Sequence, residues 1–197
     1  MNGLALATNN GVMVGPELVR QARPPAIGKF DTLLSSYSGD NEWYTPAKYI
    51  EMAREVLGTT DVDPASNATA QKTVRAATHY TVDNSGLDKE WRGRVWMNPP
   101  YSRPEINRFA DKLLAELSAG RTEAAIVLTN NSGDTAWHQA LAGACKAICV
   151  TRGRIKFESP TRASKSPPAG QSFFYFGPDA VNRLPILTPD RRPKLTP

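Results

Sequence analysis

The sequence predicts a three-layer α/β domain with a mostly parallel sheet, and three observations lead to this fold class. Short apolar runs of roughly four to six residues alternate with amphipathic stretches of roughly ten to seventeen, the pattern of repeated strand–helix units. The run at 124–128 is almost continuously apolar, as expected of a strand buried on both faces. A length of 197 residues with 40% hydrophobic residues suits one folded domain and excludes a wholly disordered or fibrous chain.

Four amphipathic segments predict the helices of this domain. The first begins with Thr45 as N-cap and Pro46 in the first helical position, and Gly58 ends it. The other three helices are expected from the turn at 63–67 to about residue 76, between Pro104 and Gly120, and around Trp137 and Leu141.

Seven short runs rich in apolar residues predict the strands. They are residues 60–62, 79–82, 94–97, 124–128, 146–150, 155–157 and 172–176. We expect the last two to form a hairpin across the loop 158–171. In such sheets ligands bind beyond the carboxyl ends of the strands, near the point where the strand order reverses. The turns after the first and third strands are therefore where we expect a functional site.

The ends of the chain differ from its middle. Residues 1–40 are poorly patterned and predict a flexible N-terminal arm, whereas the proline-rich residues 181–197 predict a basic tail. The folded domain is assigned to residues 41–180. Residues 121–197 carry 11 basic and 5 acidic groups, a net charge of +6, against +5 for the whole chain. This excess favours a polyanionic partner such as DNA or RNA, with a simply solvated surface as the alternative.

The cysteines and histidines predict neither a disulfide nor a metal site. Cys145 and Cys149 lie in an apolar stretch and are interpreted as small buried residues in a reducing compartment. His79 and His138 stand alone, without further ligands at metal spacing. The sequence has no signal-peptide pattern and no apolar run of about 20 residues. We therefore expect a soluble cytoplasmic protein without a metal, a membrane association or an obligate protein partner.

The most informative motif is the tetrapeptide 98–101, which directly follows a predicted buried strand. The side-chain oxygen of Asn98 and the carbonyl of Pro99 can each accept a hydrogen bond from an amino group. Pro99 and Pro100 fix the backbone, and Tyr101 offers an aromatic face on which a base can stack. An amine held by two acceptors keeps its lone pair available for attack on a methyl sulfonium. The motif therefore predicts methyl transfer to a planar amine, with an ordinary strand-to-helix loop as the alternative.

Several segments, taken together, resemble the phage-type DNA N6-adenine methyltransferases, which are amino-methyltransferases with an Asn-Pro-Pro-Tyr motif. They are residues 42–46, 61–67, 86–87 with Trp91, 95–101 and 153–157. The resemblance implies a Rossmann-like methyltransferase domain, S-adenosylmethionine as cofactor and adenine N6 in double-stranded DNA as acceptor, in a bacterial or phage-infected host cell. It also implies that the catalytic residues are Asn98, Pro99, Pro100 and Tyr101.

The resemblance further implies that two segments surround the cofactor. The residues concerned are Trp43, Tyr44, Thr45, Pro46, Asp61, Asp63, Ala65 and Ser66. An acidic group at a strand end can bind a ribose hydroxyl or an ammonium group, and a helix start offers free N–H groups to a carboxylate. The chain has no glycine from Thr59 to Asn84, whereas many methyltransferases carry a glycine-rich loop after the first strand. The alternative for Asp61 and Asp63 is a solvated turn.

Basic residues late in the chain are candidates for contact with nucleic acid. Arg152, Arg154 and Lys156 recur at every second position, so in a strand they would share one face and suit a phosphate backbone. Arg162 and Lys165 lie in the loop that follows. The alternative for this row is a solvated edge strand that its charges protect from aggregation.

Three functions are compatible with these motifs. The first is site-specific methylation of adenine N6 in DNA. The second is the same transfer to cytosine N4, to an RNA base or to a protein glutamine, and the third is a catalytically silent DNA-binding protein on this fold. The intact motif at 98–101 argues against the third function, and the basic C-terminal part argues against a protein substrate.

Overall fold

Helices and strands alternate along residues 43–159, 167 and 169–178, which are the residues that the computed structural model describes. The α-helices are α1 (Ala47–Leu57), α2 (Ala68–Val74), α3 (Glu105–Ser118) and α4 (Ala136–Ala144). The strands are β1 (Val62–Asp63), β2 (Thr78–His79), β3 (Gly93–Met97), β4 (Thr122–Asn130), β5 (Ala147–Val150) and β6 (Gln171–Phe176). A turn of 3-10 helix, Gly86–Asp88, precedes β3.

The strands form one sheet in the order β2-β1-β3-β4-β6-β5. The pairs β1–β2, β1–β3 and β3–β4 are parallel, and β6 runs antiparallel between β4 and β5. This confirms the predicted Rossmann-like α/β fold with a mostly parallel sheet and a late antiparallel pair. The chain leaves β1 toward β2 on one side and then crosses back to β3 and β4 on the other. The strand order therefore reverses between β1 and β3.

Helices cover both faces of the sheet. We call the face packed against α1 and α2 the first face and the face packed against α3 and α4 the second face. Because successive side chains of a strand point to opposite faces, the central strands serve both layers. Trp96 and Leu128 pack on the first face, whereas Met97 and Val127 pack on the second. This double burial explains the near-continuous apolar character of the run at 124–128.

The first helix matches its prediction except at its start. α1 buries Ile50 and Leu57 against the sheet, and Gly58 ends it with a φ of 82°, in the left-handed region that favours glycine. The predicted cap is wrong, because Pro46 occupies the N-cap position and no side chain caps the helix. Thr45 is 8% exposed, and its hydroxyl accepts a hydrogen bond from a residue that follows β3. The Thr45 side chain therefore makes a tertiary contact and does not cap α1.

The predicted hairpin between residues 155–157 and 172–176 is wrong. Residues 155–157 form no strand, and β6 pairs with β4 on one side and β5 on the other, so neither of its edges is open to a further partner. Ile155 and Phe157 are nevertheless buried, and the Ile155 N–H donates to the Gln171 side-chain oxygen at 2.8 Å. The alternation of apolar and basic residues here thus reflects an extended segment laid over the core.

A buried carboxylate ties α3 to the amino-terminal ends of the central strands. Glu116 is fully buried and receives hydrogen bonds from the Arg121 guanidinium (2.6 and 3.1 Å), the Lys112 ammonium (2.6 Å) and the Trp91 N–H (3.2 Å). These donors, with Arg121 foremost, lower the pKa of Glu116 to about 2. The cluster secures the end of the sheet opposite to the carboxyl ends of the strands.

No α-helix in the described ranges combines the length and the apolar character needed to cross a membrane. The predicted arm at 1–40 and the predicted tail at 181–197 both lie outside the described residues. Those two boundaries stay predictions.

Candidate active site

Two turns face each other where the strand order reverses. β1 and β3 are neighbours, with Val62 opposite Val95, and each strand runs directly into one of the turns singled out by the sequence. The turn after β1 comprises residues 64–67, and the turn after β3 comprises residues 98–101. In open α/β sheets a crevice forms at this position, because the two following connections diverge.

The side chain of Asn98 is held from both ends of its amide. Its Nδ2 donates to the hydroxyl of Thr45 at 3.1 Å, and its Oδ1 accepts from the hydroxyl of Tyr101 at 2.7 Å. The Tyr101 hydroxyl also lies 3.3 Å from the Leu128 carbonyl, so it is next to the neighbouring strand β4. An amide oxygen has two lone pairs, so Asn98 Oδ1 can still accept one further hydrogen bond in a fixed direction.

The prolines between Asn98 and Tyr101 provide a second acceptor. Pro99 is buried, and neither proline has an N–H group. No backbone N–H of the described residues donates to the Pro99 carbonyl outside the regular elements. The loop therefore presents a side-chain oxygen and a backbone oxygen on a chain whose φ angles the prolines restrict, which is an arrangement suited to an amino group with two N–H bonds.

The turn after β1 is built around the buried carboxyl group of Asp63. Asp63 is 2% exposed, and its oxygens accept from Gln71 Nε2 at 2.8 Å and from the Ala65 N–H at 3.4 Å. Gln71 Nε2 also donates to the Ser66 hydroxyl at 2.8 Å. Burial raises the pKa of Asp63 to about 7, although its hydrogen bonds act in the opposite direction. A carboxyl group with a raised pKa at a strand end is a candidate for a functional role.

The segment that precedes α1 joins the two turns. Thr45 contacts Asn98, and the neighbouring Tyr44 hydroxyl accepts from Asn67 Nδ2 at 3.2 Å. Asn67 in turn caps α2 through its side-chain oxygen, which accepts from two backbone N–H groups at 2.9 Å. Tyr44 also exchanges two backbone hydrogen bonds, of 2.8 and 2.9 Å, with Glu158. The structure thus connects Tyr44, Thr45 and both predicted turns.

The other predicted residues of this group have simpler surroundings. Trp43, Pro46 and Ala65 are half-buried, and Trp43 packs against the first-face core. Asp61 is not brought to the cluster. It precedes β1 and lies opposite Arg94, whose N–H it binds at 2.7 Å. Arg94 is four residues before Asn98, so at about 3.3 Å per residue Asp61 lies roughly 13 Å below the level of Asn98 along the sheet.

The predicted basic residues that the structure describes are exposed to solvent, but they do not lie on one face of a strand. Arg152, Arg154 and Lys156 are exposed in a segment without strand pairing, and Arg154 donates to the Pro167 carbonyl at 3.1 Å. The edge-strand interpretation of their charges is therefore wrong. Arg162 and Lys165 lie outside the described residues.

A family model described as DNA N-6-adenine-methyltransferase (Dam) matches residues 34–180. The chain belongs to this family. The match covers most of the chain, including both turns and all described strands. The family description indicates a DNA adenine methyltransferase, in agreement with the resemblance seen in the sequence. No curated protein matches the chain.

Two residues of the DNA N-6-adenine-methyltransferase domain support the turn after β1 and escaped the site prediction. Gln71 links Asp63, Ser66 and the Ala76 N–H, which its side-chain oxygen accepts at 2.9 Å. Gly86 lies against the same turn, because a Cβ at this position would come within 2.3 Å of the Pro64 carbonyl oxygen. Gly86 is part of the family resemblance in the sequence. Gln71 is a single polar residue in a short helix, and nothing in the sequence marks it as part of a site.

Proposed function

We propose that the chain transfers a methyl group from S-adenosylmethionine to adenine N6 at specific sites in double-stranded DNA. The observation that carries this proposal is the Asn98 amide, fixed between Thr45 and Tyr101 at the crevice where the strand order reverses. The family description supports adenine N6 in DNA as the acceptor. We also propose that the protein acts in the cytoplasm of a bacterial or phage-infected host cell, where such DNA is accessible.

The turn after β1 suits the proposed cofactor chemically. When bound, S-adenosylmethionine supplies an electrophilic methyl group on a sulfonium and carries an ammonium group. Asp63 offers a buried carboxyl group whose pKa of about 7 would fall beside a positive charge, so a cation stabilises its ionised form. Ala65 and Ser66 belong to the turn around this carboxyl group, Tyr44 reaches the same turn through Asn67, and Thr45 contacts Asn98. Trp43 and Pro46 flank Tyr44 and Thr45 in the chain. We assign residues 43–46, Asp63, Ala65 and Ser66 to the cofactor and leave Asp61 out.

The target adenine is held by the loop after β3. Asn98 Oδ1 and the Pro99 carbonyl accept the two N–H bonds of N6, which directs the nitrogen lone pair toward the turn after β1. Both acceptors are positioned before the substrate arrives, so little reorganisation is needed during the reaction. The ring of Tyr101 is the proposed stacking surface for the base. In a duplex the adenine must leave the helical stack to reach this loop.

DNA contact is proposed for the basic residues of the C-terminal part. Arg152, Arg154 and Lys156 are exposed and carry no carboxylate partner among the described residues. Their charges suit phosphates, which position a duplex without reading its sequence. Arg162 and Lys165 extend the same proposal to the following loop on the basis of the sequence alone.

The decisive experiment combines unmethylated DNA, tritiated S-adenosylmethionine and analysis of the released nucleosides. We expect N6-methyladenine from the wild-type protein and a rate about 10²–10³ lower from Asn98→Ala. Asn98→Asp is expected to lose less, because an oxygen remains to accept the amine. Asn107→Ala, an exposed asparagine on α3, is the matched control and keeps the wild-type rate.

Each alternative gives a different result in this assay. Labelled N4-methylcytosine would reassign the target base. Label that enters only RNA or protein, when either is supplied in place of DNA, would reassign the substrate class. DNA binding without any labelled product would indicate a catalytically silent DNA-binding protein. Wild-type turnover in Asn98→Ala would remove the central claim.

A further inference from the structure

Asn130, the last residue of β4, is nearly buried and has a side-chain donor without a partner among the described residues. The residue is 5% exposed, and its Oδ1 accepts from Gln171 Nε2 at 3.2 Å. Within the described residues Nδ2 has no partner. It is not fully enclosed either, because the enclosed unpartnered side-chain atoms of the described chain are Thr129 Oγ1 and His138 Nδ1. Buried polar groups are nearly always paired. Asn130 is nearly buried, but its Nδ2 is unpaired and can still be reached from outside, which indicates a ligand.

The strand register places Asn130 beside the loop that carries Asn98. Met97 is opposite Val127, so Asn98 is level with Leu128, and Asn130 lies two residues further on the same face. With about 4.8 Å between strands and about 3.3 Å per residue, the Cα atoms of the two asparagines are roughly 8 Å apart. The contact between Tyr101 and the Leu128 carbonyl shows that the loop and the end of β4 are adjacent.

The orientation of the Asn130 amide is fixed by a buried neighbour. Gln171 is fully buried, its Oε1 accepts from the Ile155 N–H at 2.8 Å, and its Nε2 also donates to the Ala169 carbonyl at 2.7 Å. Gln171 can therefore offer Asn130 only a donor. Asn130 Oδ1 must face Gln171, and the Nδ2 donor is turned away from it.

The order of the strands decides which ligand this donor meets. β3 lies between β1 and β4, so the turn of Asp63 and the side chain of Asn130 are on opposite sides of Asn98. Under the proposed function the methyl donor occupies the β1 side. The β4 side is then left to the base whose amino group Asn98 accepts.

We propose that Asn130 Nδ2 donates a hydrogen bond to a ring nitrogen of the target base, next to the amino group that is methylated. This inference rests on the proposed function. Adenine carries an acceptor nitrogen on either side of its amino group, N1 and N7, and both are free once the base has left the duplex. Asn98 and Pro99 then accept from the amino group while Asn130 donates to the ring, so the three contacts distinguish the amino-substituted edge from a carbonyl edge.

The first test uses the wild-type protein and modified DNA. Oligonucleotides carry 1-deazaadenine or 7-deazaadenine at the target position, and kcat/KM is compared with that for adenine. Removing the accepted nitrogen leaves the donor unpaired, so we expect one analogue to lose roughly 10- to 100-fold. Methylation of both analogues within about twofold of adenine would overturn the proposal.

The second test shows whether the loss depends on Asn130. Asn130→Asp keeps the oxygen that Gln171 binds and removes the donor, and Asn130→Ala removes both. In each variant the sensitive analogue and adenine should react equally well, whereas Asn107→Ala should keep the wild-type difference. A penalty that persists in Asn130→Asp and Asn130→Ala would overturn the proposal. Thermal unfolding and affinity for S-adenosylhomocysteine verify folding, and the analogue comparison with wild-type protein decides if a variant is unfolded.

Asn98→Ala separates this inference from the function on which it rests. Loss of activity in Asn98→Ala together with unchanged analogue discrimination in the Asn130 variants would remove only the role of Asn130. Full activity in Asn98→Ala would instead remove the proposed function.

Discussion

The Tyr101 hydroxyl donates a 2.7 Å hydrogen bond to Asn98 Oδ1, so the two residues that flank the proline pair are directly joined. Tyr101 therefore has two separable parts. Its ring packs against the second-face core and borders the crevice, and its hydroxyl fixes the oxygen that is proposed to accept the amine. From the sequence, Tyr101 was expected to contribute only its aromatic ring, as a stacking surface.

The substitution Tyr101→Phe separates these parts. It keeps the ring but removes one of the two hydrogen bonds that hold the Asn98 amide, and we expect kcat to fall about tenfold with little change in KM for DNA. Tyr101→Ala removes the stacking surface as well and should lower kcat further while raising KM. Steady-state methylation kinetics on one oligonucleotide series measure both effects. Equal kinetics for Tyr101→Phe and wild type would show that the hydroxyl does not position Asn98.

Asp63 should make the stability of the ligand-free protein depend on pH. Its pKa is raised from 3.8 to about 7 by burial, so the folded state holds its proton more tightly than the unfolded state. Stability from this group is therefore present below about pH 4 and is lost as the pH rises to about 7, by up to about 4 kcal/mol. Asp63→Asn cannot ionise. Urea unfolding at pH 5 and pH 8 should show a smaller difference for this variant than for wild type.

Asp63→Asn should weaken cofactor binding, although it is expected to stabilise the protein at higher pH. Asp63→Asn removes the charge that faces the proposed ammonium group, so calorimetry with S-adenosylhomocysteine should give weaker binding even where the variant is more stable. Unchanged affinity together with an unchanged pH difference would show that Asp63 neither titrates near neutrality nor meets the cofactor.

Glu116 should govern stability without affecting the site. Its pKa is lowered to about 2, chiefly by Arg121, so its contribution is present above about pH 4.5 and is lost as the pH falls toward 2. Glu116→Gln leaves Arg121 and Lys112 without their carboxylate and should cost about 2–4 kcal/mol of unfolding free energy at pH 7. Chemical denaturation measures this cost. Methylation by the folded fraction should stay at the wild-type rate, and a loss of kcat would contradict the separation of the two ends of the sheet.

The exposed basic segment should determine the salt dependence of DNA binding. Each phosphate neutralised on duplex DNA contributes about −0.9 to the slope of log K against log salt. Replacing Arg154 and Lys156 together by alanine should therefore flatten the slope by about 2 and leave cofactor affinity unchanged. Lys72→Ala combined with Arg108→Ala removes the same charge from exposed helix positions and serves as the control. An unaltered slope in the first variant would exclude phosphate contact at these residues.

The sequence was sufficient where the signal is local. The α/β alternation, the helix end at Gly58 and the turns around Asp63 and Asn98 follow from periodicity and from residues with strong backbone preferences. The extended segment at 155–157 misled the prediction, because alternating burial looks the same whether a segment pairs with a strand or lies over the core. Strand pairing depends on which edges are already occupied, and that is a property of the whole sheet.

Thr45 shows why part of the candidate site could not be predicted from the sequence. A Thr-Pro pair before an amphipathic run is a strong helix-start signal, so the sequence favoured a cap over a tertiary contact. The actual partner, Asn98, is separated by 53 positions and no local pattern connects them. The same holds for Gln71 and Asn130, whose hydrogen-bond partners come from strands and turns elsewhere in the chain or from the ends of their own elements.

The hydrogen bond between Thr45 and Asn98 also has a consequence for folding. It closes a long loop that contains α1, β1, α2, β2 and β3, so its formation costs substantial chain entropy. A chain whose sheet has formed but whose segment before α1 is still undocked would contain the whole 98–101 loop, with the Asn98 amide held by the Tyr101 hydroxyl alone. Under the proposed function, full positioning of the Asn98 amide therefore depends on docking of the segment that precedes α1.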